Sequence, residues 1–60
     1  MNRLIQILIT RDDLSRSEAL YVVQEAVDRF NAGDDPEDIL HEEFGLEPDF
    51  IFDFLALVNH

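Results

Sequence analysis

Apolar residues along the chain recur at intervals of three and four, and the breaks between them carry helix-start and helix-stop residues. Leu4, Ile5, Leu8 and Ile9 fall on one side of a helical wheel, with Asn2, Arg3, Gln6 and Thr10 opposite and Ile7 widening the apolar arc. The three isoleucines would also suit a buried strand. No second strand-like run exists to pair with it, so helix is preferred over about 2–10. A second helix is expected over about 16–32. Ser15 followed by Glu18 has the spacing of a capping box, in which each side chain satisfies the other's free backbone N–H. Leu20, Val23, Val27 and Phe30 form the expected seam, flanked by Ala19, Val22 and Ala26. Arg16, Glu25, Asp28 and Arg29 face water, and Glu25–Arg29 is a favourable pair worth about 0.3–0.5 kcal/mol. Gly33 stops the helix.

The stretch Asp34-Asp35-Pro36-Glu37-Asp38 starts a third helix, with Asp35 as cap and Pro36 at the first helical position. Acids in its first turn suit the helix dipole. It runs over about 36–44 with Ile39, Leu40 and Phe44 inward, and Gly45 ends it. Pro48 and Asp49 then open a fourth helix over about 48–58, with Leu46 placed to staple against Ile51. The fold expected is all-α: a compact bundle of four short helices forming a single domain over 1–60.

The last helix has too little polar surface. Phe50, Ile51, Phe52, Phe54, Leu55, Ala56, Leu57 and Val58 leave only Asp49, Asp53 and Asn59 for water. A helix that apolar is either central or in contact with another molecule, and the first helix is nearly as apolar. Together they carry more hydrophobic surface than the second and third can cover. The leftover patch should include Phe52, together with Ile7 or Leu57. Tyr21, off the seam of the second helix, is a further candidate contact, because tyrosine is enriched at interface centres.

Composition narrows the partner. Sixty residues without cysteine bury only about 60% of their unfolded surface, so stability rests on helix packing or on self-association. An apolar fraction of 47% is too high for a disordered acidic tail. Fourteen acids against four arginines give a net charge of -10, which repels phosphate backbones and anionic headgroups. Direct nucleic-acid binding and membrane binding are therefore not expected. The apolar run from Leu4 to Ile9 is too short for a signal peptide or a bilayer span, so the cytoplasm is the expected compartment.

Candidate chemistry is sparse. His41-Glu42-Glu43-Phe44-Gly45 begins like a zinc-binding His-Glu-x-x-His helix, but glycine stands where the second ligand belongs. Glu37 and His41, one turn apart, read as a solvated pair, and His60 as a chain end. Asp49 and Asp53 share a helix face, yet so small a domain cannot readily wall off the cleft a carboxylate pair needs. The acidic stretch around Gly33 lacks calcium-loop spacing. Both glycines terminate helices, so no phosphate-cradling loop is available. Neither catalysis, cofactor, metal nor small-molecule substrate is expected.

The segment Gly45-Leu46-Glu47-Pro48-Asp49-Phe50-Ile51-Phe52-Asp53-Phe54-Leu55 resembles the C-terminal signature of small acidic proteins encoded by tailed phages and prophages of low-GC Gram-positive bacteria. Those proteins are similar in their short apolar first helix, in a Ser/Thr-x-x-Glu-Ala start like Ser15 to Ala19, and in an acidic third helix. The resemblance implies a mobile-element origin and a bacterial cytoplasm. It carries no assigned activity and therefore no functional residues.

Three functions compete. The first is an interaction module that pairs with itself or docks on a larger protein through the apolar sides of its first and last helices. The second is inhibition by DNA mimicry, with Asp34, Asp35, Glu37, Asp38, Glu42, Glu43 and Glu47 as a phosphate-like band. The third is a small enzyme or metal protein.

Overall fold

In a computed structural model describing residues 2–59, Asn2 lies just outside the first helix and caps it. Its Oδ1 accepts from the Leu4 N–H at 2.8 Å and from the Ile5 N–H at 3.4 Å, satisfying two donors that no helical carbonyl can reach. Helix α1 spans Arg3–Arg11 and buries Leu4, Ile5 and Leu8. It ends where Asp13 turns left-handed (φ 56°), with the Leu14 N–H reaching back to the Leu8 carbonyl at 3.4 Å. Aspartate is among the few non-glycine residues that enter this region, so the turn carries no glycine signal.

Helix α2 spans Arg16–Asn31 and starts on the capping box: the Glu18 N–H donates to Ser15 Oγ at 3.1 Å, and the Ser15 N–H to Glu18 Oε1 at 2.9 Å. At its end Gly33 is left-handed (φ 106°), its N–H donates to the Phe30 carbonyl, and the Asp34 N–H donates to the Arg29 carbonyl. That pair of bonds satisfies carbonyls the helix leaves free.

Helix α3 is shorter than expected as a regular α-helix, covering Pro36–Ile39 with Asp35 Oδ1 capping the Glu37 N–H at 2.8 Å. It widens into a π turn, Leu40–Phe44, closed by left-handed Gly45 (φ 64°) and by a Leu46 N–H bond to the Leu40 carbonyl at 3.0 Å. Arg11 of α1 donates to the Phe44 carbonyl at 2.6 Å, supplying a partner for one carbonyl that the terminating turn leaves free. The last helix opens as a 3-10 turn, Pro48–Phe50, and continues as α4, Ile51–Val58.

Four helical segments and no strand make up the described residues, so the architecture is the all-α bundle expected. Its core joins Leu4, Ile5 and Leu8 of α1, Ala19, Val23 and Ala26 of α2, Ile39, Leu40 and Phe44 of the third segment, and Phe54 of α4. Phe54 is fully buried, with the Phe30 ring 6.0 Å away at 87° and the Phe44 ring 6.4 Å away at 61°. Edge-to-face pairs of this kind add about 0.5–1.5 kcal/mol each beyond area burial.

The buried side of α2 differs from the seam expected. Ala19, Val23, Ala26 and Phe30 face inward, while Leu20 is 45% exposed. Val23 and Phe30 keep their expected places and Val27 stays half-buried against the core, while the small Ala19 and Ala26 take the fully buried positions beside them.

Candidate interaction surface

Helix α4 is held on one side by the start of α1. Arg3 pairs with Asp53, with Nη2 to Oδ2 at 2.8 Å, and its guanidinium stands 4.8 Å from the Phe50 ring centre. Asn2 Nδ2 donates to the Asp53 carbonyl at 2.9 Å. Phe54 anchors the helix to the core. Phe52, two residues earlier and therefore about 200° around the helix, points the other way and is 80% exposed. Asp49, Phe52, Ala56 and Asn59 form the outward row at spacings of three, four and three, with Ile51 and Leu55 half-buried beside it.

The other candidate contacts lie elsewhere or are partly covered. Ile7 and Leu57 are half-buried, and Leu57 packs against the core. Tyr21 is 68% exposed next to Leu20. It precedes Phe30 by nine residues of α2, about 13 Å of helix, and so belongs to the end of α2 away from the Phe30–Phe54 contact.

The acidic band is partly engaged within the molecule. Asp34, Glu42 and Glu43 converge on Arg29: Nε to Asp34 Oδ2 at 2.8 Å, Nη2 to Glu42 Oε1 at 2.7 Å, and Nη1 to Glu43 Oε1 at 3.2 Å. Hydrogen bonds donated by the guanidinium to Asp34, then to Glu42 and Glu43, raise its pKa further above the ordinary value. The pairing expected with Glu25 is replaced, because left-handed Gly33 folds Asp34 back over the last turn of α2 and the third segment delivers two more carboxylates. Asp35 serves as a cap; Glu37, Asp38 and Glu47 are exposed.

The long-range ties that fix α4 and the third segment, from Asn2, Arg3, Arg11 and Arg29, were not foreseen in the sequence. Only Asn2 left a signal there, as a capping residue directly before the apolar run.

Among the described residues there is no pocket, and no group of three or more His, Asp or Glu side chains is placed to hold a metal. His41 is exposed, and His60 lies outside the described residues. No helix among them is long and apolar enough to cross a membrane. Comparison with protein-family models, curated proteins and solved structures returns no match.

Proposed function

We propose that the chain is a non-catalytic protein–protein interaction module of phage or prophage type, working in the bacterial cytoplasm, with Phe52 at the centre of its contact surface. One observation carries the reading: a phenylalanine is 80% exposed on a helix whose other sides are fixed by Arg3, Asn2 and Phe54. An aromatic ring left in water on an anchored helix gives the fold nothing, whereas its burial in a partner pocket supplies the large apolar contact typical of interface hot spots. DNA mimicry is the weaker reading, because Arg29 sits among three of the seven carboxylates and interrupts the negative band.

Affinity capture from a bacterial host lysate, comparing the native chain with Phe52→Glu, tests the proposal. A protein retained by the native chain and lost by the variant, with unchanged circular dichroism, is the expected result. An identical set of retained proteins would mean that Phe52 is not the contact.

A further inference from the structure

Resting on the reading of Phe52 as a contact residue, we infer that its face receives a basic amphipathic helix of another protein, with the apolar side over Phe52 and Ala56 and lysine or arginine flanks against Glu47 and Asp49. Size and charge select this occupant. The outward row from Asp49 to Asn59 spans ten residue steps and is only about 15 Å long. One phenylalanine buries at most about 150–250 Å², and an alanine with the edges of Ile51 and Leu55 adds less. The sum falls well below the roughly 800 Å² per partner of a stable interface. Apolar contact alone is therefore insufficient, and electrostatic attraction must supply the remainder.

A second copy is disfavoured, because it brings another net charge of -10 to the same face. A basic helix brings the opposite sign. Glu47 and Asp49 are exposed at the start of the row, and Asp49 lies one helical turn before Phe52. Asp53 is already paired with Arg3, which confines the attractive flank to the Glu47–Asp49 side and so sets which way the basic residues point.

The probe is a synthetic leucine–lysine peptide of about 18 residues with helical periodicity, beside a shuffled peptide of identical composition that lacks an apolar face. Calorimetric titration near 0.05 M salt should show the amphipathic peptide binding the native chain about tenfold more tightly than the shuffled one. Phe52→Glu is decisive because it adds a carboxylate while removing the ring. Binding by charge alone would strengthen; the inferred contact weakens about tenfold. Raising salt to about 0.5 M should weaken native binding as the screening length shrinks to a few Å.

Equal binding of the two peptides, or undiminished binding by Phe52→Glu, would overturn the inference. So would self-association of the native chain in sedimentation that Phe52→Glu abolishes, which would make a second copy the occupant. In that last case, and where lysate capture depends on Phe52 but the peptide does not bind, the inference fails while the proposed function stands.

Discussion

Ser15 and Glu18 hold each other by two hydrogen bonds, one of which is accepted by the Glu18 carboxylate, and this gives the start of α2 a pH dependence that a neutral cap would lack. Donation from the Ser15 backbone, then from its side chain, favours the charged form and lowers the Glu18 pKa below its ordinary 4.5. A carboxylate whose folded pKa is depressed contributes stability that is fully present above the unfolded value. That stability is lost as pH falls through the folded one. Glutamine at this position keeps the capping geometry, so Glu18→Gln isolates the charge. Glu25→Gln removes the same charge from an exposed site on the same helix and serves as reference. Asp12, whose pKa is lowered chiefly by its hydrogen bond from Arg11, is present in all three proteins and cancels. Glu18→Gln should unfold at lower urea than Glu25→Gln above pH 4.5, with the gap closing as the solution is acidified below it. A gap independent of pH would mean that the carboxylate contributes shape alone.

Within α4, two phenylalanines separated by one residue have opposite roles, and this is testable by the same substitution at each. Phe54 is fully buried between two rings, and truncating such a residue to alanine costs about 3–5 kcal/mol. A 60-residue domain holds only about 3–9 kcal/mol in total. Phe54→Ala should therefore lose most of its cooperative thermal transition, whereas Phe52→Ala should stay within about 0.5 kcal/mol of the native chain. A cooperative melt retained by Phe54→Ala would place the centre of the core elsewhere.

The same contrast marks what the sequence could disclose. Helix starts at Ser15 and Asp35 and the glycine stops at Gly33 and Gly45 are local devices, so their spacing was readable. The apolar character of the last helix likewise pointed to Phe52 as exposed, although Ile7 and Leu57, expected beside it, are half-buried. The exposure of Leu20 was not readable, because the other helices pack on the neighbouring Ala19 and Ala26, and which of two adjacent apolar residues they cover is a tertiary choice. Nor was the choice of Arg29 among Glu25, Asp34, Glu42 and Glu43, which the Gly33 turn and the path of the third segment decide. The π turn at Leu40–Phe44 has no glycine or proline inside it to announce it.

For the molecule as a whole, stability outside the core is a contest between self-repulsion and local ion pairs. A radius of gyration of 10.3 Å, against about 10.4 Å expected for a compact chain of this length, packs a net charge of -10 into 28 × 20 × 18 Å. Three of the four arginines are drawn onto acids: Arg29 among three of them, Arg3 on Asp53, Arg11 on Asp12. Salt screens both effects, and their balance sets the sign of the response. The pairs are exposed or half-exposed and of the kind that contributes little, whereas repulsion acts across every unpaired carboxylate on a body only about two to three screening lengths across at 0.1 M. Repulsion should win. Sodium chloride raised from about 0.02 to about 0.5 M, still short of the molar range where excluded salts strengthen burial, should raise Tm by roughly 4–8 °C for each kcal/mol of repulsion relieved. Arg29→Met sharpens the test, because it removes attraction and leaves Asp34, Glu42 and Glu43 facing one another. Its salt-induced gain should exceed that of the native chain. A native Tm that falls with salt, together with a flat response in Arg29→Met, would show instead that the arginine-centred pairs outweigh the spread of negative charge.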